Sequence, residues 1–176
     1  MKRRDLFKAA AMTATGVALG SLSDINTTFA KEVTKMTKEQ FSTVFPMGAK
    51  NDAYAQYFVG QSYLNMLSLD QVVIGNVTFE PGCRNNWHIH HADKGGGQIL
   101  LVTGGRGYYQ EWGKPAQELR PGDVVNIPVG VKHWHGAAPD SWFSHLAVEV
   151  PGDETSNEWL EAVDNTVYFK ATGKEV

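Results

Sequence analysis

Residues 79–90 read Phe-Glu-Pro-Gly-Cys-Arg-Asn-Asn-Trp-His-Ile-His, and residues 132–139 read Lys-His-Trp-His-Gly-Ala-Ala-Pro. Each stretch contains two histidines that are separated by one residue. Because alternate residues of a β-strand point to the same face, each pair turns two imidazoles to one side of a sheet. All six histidines of the chain lie between positions 88 and 145. This clustering predicts a metal or catalytic site, although a set of hydrogen-bonded core histidines is the alternative.

The residues around these pairs are typical of short strands that are joined by Pro-Gly, Gly-Gly and Pro-Asp turns. Many short strands at this spacing predict an all-β sandwich or barrel. The predicted strands span residues 55–59, 63–67, 72–79, 87–90, 98–103, 108–112, 123–127, 132–135 and 142–150. One short helix is predicted late in the chain, over residues 157–163, with Ser156 or Asn157 as its cap.

Length and composition are those of one soluble globular domain with short appendages. The chain has 176 residues, of which 42% are hydrophobic and 20% are charged. A net charge of -3 argues against a basic surface for nucleic acid. The single Cys83 cannot form an internal disulfide and is expected to be a small buried filler.

The first thirty residues are predicted to be an export signal. A charged head that includes Arg3 and Arg4 precedes an apolar stretch, and Thr28-Phe29-Ala30 offers a cleavage site. Residues 3–8 resemble the twin-arginine signal, which implies a periplasmic protein; a Sec signal or an uncleaved anchor is the alternative. The predicted organisation is a signal peptide over residues 1–30, an N-terminal segment over 31–53 and one domain over 54–176. The mature protein is expected to make no contact with a membrane.

The spacing of glycines and histidines resembles the two motifs of the cupin family. Gly82, His88, His90, Gln98 and Gly105 follow the first motif, and the second is carried by Gly122, Pro128, Gly130 and His133. The resemblance implies a single-domain jelly-roll barrel (a double-stranded β-helix). It also implies that the metal ligands are His88, His90, Gln98 and His133.

This chain departs from the usual cupin pattern at its fourth ligand position. The family usually has Glu where this chain has Gln98, and seven residues separate His90 from it instead of three or four. A set of three histidines and one glutamine is neutral, so a bound ion keeps its full formal charge as a Lewis acid. Mn(II) is the expected ion, Fe(II) is second, and Zn(II) and Ni(II) are compatible with the donors. On this basis Gln98→Glu is expected to hold the metal at least as tightly.

Two alternatives to this ligand set stay open. Gln98 could instead be a hydrogen-bonding residue at the barrel rim, and His91 could be a ligand, although the loop over residues 91–97 favours a solvent position for His91. His135 and His145 are predicted to be the acid–base pair, since each shares a face with an inward-pointing residue of its strand. The competing interpretation is that His135 only orients the metal ligands.

Within the cupins, the sequence resembles the small bacterial members that include manganese-dependent hydroxynitrile lyases. The resemblance implies a lyase that acts on a small carbonyl or hydroxy compound, and a homodimer. Three alternatives are a uronate-ketonising isomerase, an oxygen-dependent enzyme and a non-catalytic metal- or ligand-binding module of the cell envelope. A carboxylate substrate would need a cationic partner, for which Arg84, Arg106 and Lys132 are the candidates.

Overall fold

The structure, a computed structural model, describes residues 34–173. The predicted export signal over residues 1–30 lies outside the described residues. Within the described range the strands are β1 Ala49–Lys50, β2 Phe58–Val59, β3 Ser62–Ser68, β4 Ile74–Phe79, β5 Arg84–Asn85, β6 His88–His91, β7 Lys94–Gly95, β8 Gln98–Gly105, β9 Gly107–Glu111, β10 Gln117–Leu119, β11 Val124–Ile127, β12 His133–Ala137, β13 Phe143–Glu149, β14 Gly152–Asp153 and β15 Ser156–Trp159. A 3₁₀ helix, Asp52–Tyr57, precedes β2, and helix α1, Asn165–Thr172, follows β15.

Two antiparallel sheets form the barrel. The first has the order β1-β3-β4-β13-β8-β11, and the second has the order β10-β9-β12-β5-β2, with β6 paired to both β12 and β15. Strands far apart in sequence are neighbours, as β4 and β13 are. A small third sheet joins β7 to β14. This all-β jelly roll with a short C-terminal helix confirms the predicted fold class.

Alternation along the strands builds the core between the two sheets. In β8, Leu100 and Val102 are buried, whereas Leu101 between them is 37% exposed. The two inward residues pack in one cluster with Phe79 and Phe143. Because full burial of such a side chain stabilises the fold by about 1.5–3 kcal/mol, this inner face accounts for much of the barrel's stability.

The segment before β1 crosses the outer face of the first sheet. The Phe41 ring stacks on Trp142, with centroids 5.6 Å apart. The Asn76 side chain donates a hydrogen bond to the Pro46 carbonyl over 3.0 Å. Among the described residues, no helix has the length and apolar character needed to span a membrane.

The predicted helix over residues 157–163 is wrong. Residues Ser156–Trp159 form β15 and pair with β6, so that Trp159 lies opposite His88. The Trp159 ring stacks on both Tyr57 and His88. This long-range pairing overrides the local helix signal. The helix begins instead at Asn165, where the Asp164 side chain accepts a hydrogen bond from the Val167 amide.

The predicted strand over residues 55–59 is also largely wrong, because the chain forms the 3₁₀ helix Asp52–Tyr57 and only Phe58–Val59 is extended. The other predicted strands are confirmed, with ends that shift by at most two residues. Six strands of the described range lie outside the predicted ones: β1, β5, β7, β10, β14 and β15.

Candidate metal centre

Three buried histidines meet at one point inside the barrel. His88 and His90 lie on β6, and His133 lies on β12 directly opposite His88. One ring nitrogen of each of the three lies within 4.8 Å of those of the other two. The same-face prediction for His88 and His90 is therefore confirmed, and this His triad can hold a metal ion.

The Nδ1 atoms of the triad are occupied by acceptors on the outside of the cluster. His88 Nδ1 donates to the Asn86 carbonyl over 3.0 Å, and His133 Nδ1 donates to the Val131 carbonyl over 2.8 Å. His90 Nδ1 lies 3.3 Å from a carboxylate oxygen of Glu149. Because a neutral imidazole has one N–H, this pattern leaves the Nε2 lone pairs available to a cation.

Gln98 begins β8 and is buried beside the triad. Its amide nitrogen donates to Glu149 over 2.7 Å. Glu149 therefore contacts both Gln98 and His90. Gln98 Oε1 is buried and has no hydrogen-bond partner among residues 34–173.

The donor atoms present fit a divalent transition metal. Nε2 of His90, Nε2 of His133 and Oε1 of Gln98 are all buried and make no hydrogen bond within the described part of the chain. Leaving a buried polar atom unpaired costs about 1–3 kcal/mol. A bound cation would pair all three atoms at once. Imidazole nitrogens with one amide oxygen suit Mn(II), Fe(II), Zn(II) and Ni(II).

Burial keeps the imidazoles of His88 and His133 neutral. It lowers the pKa of His133 to about 4 and lowers the pKa of His88 well below its ordinary value. The neighbouring imidazoles lower both pKa values further. At neutral pH the two rings therefore carry no proton that would compete with a metal ion.

His135 lies on the same strand as His133 and lines a cavity that also touches His88, His90 and Gln98. Its Nδ1 is 3.1 Å from Nε2 of His145. The Asn85 side chain donates to Nε2 of His135 over 3.0 Å and accepts a hydrogen bond from the His135 backbone amide over 2.9 Å. The same amide nitrogen lies 3.3 Å from Nδ1 of His135, so the shorter contact, with Nδ1 facing His145, makes Nε2 the acceptor.

His145 lies behind His135 rather than on the cavity wall. It is fully buried on β13 and packs against Phe143, with ring centroids 5.5 Å apart. Burial lowers the pKa of His145 to about 4, and burial together with the His145 ring lowers the pKa of His135 well below its ordinary value. The two histidines predicted as an acid–base pair are in contact, but only His135 reaches the cavity.

The cavity has a volume of about 400 Å³ and mostly apolar walls. None of the described residues that line it is a lysine or an arginine. The three predicted cationic candidates bind elsewhere: Arg84 donates to the Val163 carbonyl, Arg106 pairs with Asp140, and Lys132 pairs with Glu161. The apolar wall is formed by Phe58, Leu64, Met66, Val73, Val77 and Trp159.

Other predicted positions lie outside the His triad, although His91 also lines the cavity. His91 is half-exposed and pairs with Glu158 over 2.7 Å, outside the triad. Cys83 is buried, and burial raises the pKa of its thiol, as expected for a small core residue.

Sequence reasoning missed Glu149, Asn85 and Trp159. Glu149 lies four residues after His145 on one strand, so the alternation rule would have placed both on the inner face. Trp159 was hidden by the incorrect helix prediction. Asn85 carried no signal, because its contacts with His135 depend on the pairing of β5 with β12.

Known proteins resemble this chain in sequence and structure. The Cupin domain family matches residues 75–148. The (R)-mandelonitrile lyase of Granulicella tundricola is 45% identical over 93 residues, which cover 53% of this chain and 68% of that protein.

Solved structures agree with this match. A cupin-like protein from Thermotoga maritima is 40% identical, with a TM-score of 0.66 over 76% of this chain and 100% of that one. A cupin-2 domain from Rhodospirillum rubrum shares the fold, with a TM-score of 0.51 at 14% identity over 76% of this chain and 89% of that one. On its motifs, its fold and these similarities, the chain belongs to the cupin family.

Proposed function

We propose that this protein is a metal-dependent lyase of the hydroxynitrile lyase type. Such an enzyme makes or breaks the carbon–carbon bond next to the oxygen of a small carbonyl or hydroxy compound. The observation that carries the proposal is the position of His135, a neutral imidazole on a mostly apolar cavity that also touches His88 and His90 of the triad. The relative named (R)-mandelonitrile lyase, at 45% identity, supports this reaction class.

The cavity favours a neutral substrate. Its described lining offers no lysine or arginine to a carboxylate, and Glu149 adds a negative charge on one side. A uronate would therefore find no cationic side chain in this lining, so its carboxylate would stay unpaired whenever the reacting oxygens occupy the metal, and desolvating an unpaired carboxylate is costly. The apolar wall suits the hydrocarbon part of a small aldehyde or cyanohydrin. This charge distribution favours the lyase over the uronate isomerase.

His88, His90 and His133 would hold the metal through imidazole nitrogens, and Gln98 would hold it through its amide oxygen. When bound there, a divalent ion supplies Lewis acidity towards the substrate oxygen. Mn(II) is the proposed ion, and Fe(II) is the second choice, because both accept mixed nitrogen and oxygen donors.

His135 would move the proton. In the cleavage direction, Nε2 of His135 gives up its hydrogen bond from Asn85 and takes the hydroxyl proton of the cyanohydrin, and the carbon–carbon bond breaks with its electron pair on the leaving cyanide. The proton then passes from His135 to cyanide, so that the products are an aldehyde and hydrogen cyanide. Before the substrate binds, Asn85 and His145 hold the ring in place through its two nitrogens.

A metal assay and a substrate screen test the proposal together. Protein purified without chelator is analysed for metal and then incubated with racemic cyanohydrins and, separately, with unsaturated uronates. We expect stoichiometric Mn(II) or Fe(II), aldehyde release from a cyanohydrin, and no reaction after metal removal. Turnover of a uronate would favour the isomerase, and metal without turnover of either class would favour a binding module.

Export and assembly are separate proposals that rest on the sequence. We propose twin-arginine export of the folded protein, which would let Mn(II) loaded in the cytoplasm be retained although Cu(II) and Zn(II) stand higher in the affinity order. Replacing Arg3 and Arg4 by Lys should then keep the protein in the cytoplasm. Stoichiometric zinc or copper in exported protein would contradict the loading argument.

A homodimer, proposed from the family resemblance, is tested by light scattering.

A further inference from the structure

Glu149 joins two of the four proposed metal ligands. It lies on β13 directly opposite Gln98 of β8. One carboxylate oxygen accepts a hydrogen bond from Gln98 Nε2 over 2.7 Å, and the other lies 3.3 Å from His90 Nδ1. Both oxygens of one side chain are therefore occupied by ligand residues.

Because an ionised carboxylate only accepts hydrogen bonds, it determines which atoms of Gln98 and His90 face Glu149. A primary amide has an acceptor end and a donor end, and only the oxygen can bind a cation. The terminal amide of glutamine rotates easily, because its last torsion is broad and nearly two-fold. An ionised carboxylate only accepts hydrogen bonds, so Glu149 selects the NH₂ end of Gln98 and turns Oε1 inward. By the same rule it selects the Nδ1–H form of His90.

We propose that Glu149 is a positioning residue that sets the ligand atoms of Gln98 and His90 before a metal ion arrives. Most cupins carry a negative charge on the fourth metal ligand itself. Here the negative charge lies on Glu149, which contacts the neutral ligand Gln98. This inference rests on the metal site and is independent of which reaction the site performs.

A reciprocal exchange follows from this geometry. Glu149→Gln replaces one of the two acceptor oxygens by an NH₂ group, which then faces the N–H of either Gln98 or His90. Gln98→Glu places two carboxylates against each other, so we expect weaker metal binding for this variant, whereas the sequence alone predicts binding at least as tight. In the double variant, the new carboxylate at position 98 can accept from the new amide at position 149, whose oxygen can accept from His90. The double variant should therefore recover what each single variant loses.

The test is Mn(II) binding by metal-free protein, measured by calorimetric titration and by electron paramagnetic resonance. Loss of a residue that supports a ligand typically weakens metal affinity about 10–100-fold, which is the effect expected for Glu149→Gln. Gln98→Glu should also bind Mn(II) more weakly than the original protein. The double variant should return to within a few-fold of the original affinity. Glu158→Gln is the matched control, because Glu158 contacts His91, which lies outside the triad.

Three results would overturn the inference: original Mn(II) affinity and resonance spectrum in Glu149→Gln, an equal loss of affinity in Glu158→Gln, or a double variant no tighter than the weaker single variant. Thermal unfolding in chelator, with midpoints close to that of the original protein, shows that the variants fold. If Mn(II) binding follows the expected pattern and no cyanohydrin is cleaved, the lyase proposal fails while the role of Glu149 stands.

Discussion

His135 and His145 show how burial separates two residues that look alike in sequence. Both are histidines on inward strand faces, and they contact each other over 3.1 Å. His135 lines the cavity, whereas His145 has no exposed surface. Of the two, only His135 is placed to contact a molecule in the cavity, and the proposed role of His145 is to act through it.

The first prediction separates these two roles. His135→Ala should retain the fold and the metal but lose about 10²–10⁴-fold in kcat, because a general acid–base group is removed. His145→Asn should lose less, since it changes the orientation of His135 and not the base itself. Turnover and metal content are measured on the same samples, with Glu158→Gln as the control. A His135→Ala variant that is metal-loaded and within a few-fold of the original kcat would contradict the assignment.

The second prediction concerns Cys83. The side chain is 1% exposed, and burial is the main cause that raises the pKa of its thiol. Since the thiolate is the reactive form, a thiol reagent at pH 8 should leave the folded protein unmodified and label it fully in denaturant. Rapid labelling of the folded protein would show that this part of the core opens readily.

At the scale of an element, α1 supports the strand that carries His133 and His135. The Tyr168 hydroxyl donates to the Ala137 carbonyl of β12 over 2.6 Å. Arg84 lies 4.4 Å from the Tyr168 ring centroid and donates to the Val163 carbonyl before the helix. Through these contacts the helix packs on β5 and β12, on the side of these strands that faces away from the cavity.

The third prediction tests the start of this helix. The Asp164 side chain accepts from the Val167 amide over 2.8 Å and so satisfies one free N–H of the first turn. Asp164→Ala should lower the free energy of unfolding by about 1 kcal/mol, whereas Asp164→Asn should change it by only a few tenths, because asparagine caps equally well. Urea unfolding of the metal-free variants measures both values. Equal losses in the two variants would show that the side-chain cap is not the cause.

At the scale of the whole molecule, buried neutral histidines make the metal-free fold sensitive to acid. Burial lowers the pKa of His145 to about 4, against 6.5 for an unperturbed histidine. As the pH falls from 6.5 towards 4, the unfolded chain therefore takes up a proton that the folded chain does not. The contribution of His145 to stability is complete above pH 6.5 and is lost across that interval.

The fourth prediction follows from this linkage. In chelator, the free energy of unfolding from urea curves should fall as the pH is lowered from 7 to 5. One such histidine contributes at most about 1.4 kcal/mol per pH unit. His145→Gln removes one titrating group and should give a shallower pH dependence, whatever its effect on stability at pH 7. A flat profile in the original protein between pH 7 and 5 would mean that His145 accepts a proton within the fold.

The sequence by itself determined the features that depend on one strand at a time. Alternation correctly places Leu100 and Val102 inside the barrel, and it places His88 and His90 on one face. These inferences hold because the period of a strand is a property of its own backbone, and each buried position needs an apolar or paired side chain.

Only the tertiary structure decided which strands lie side by side. The pairing of β13 with β8 places Glu149 opposite Gln98. The pairing of β15 with β6 makes residues 156–159 a strand, although the sequence predicts a helix there, and places Trp159 opposite His88. These registers join residues about fifty to seventy positions apart, and they are set by the packing of the whole barrel rather than by any local preference. For the same reason, sequence identified the histidines that meet at the centre, while the residues that orient them became visible only once the two sheets were closed.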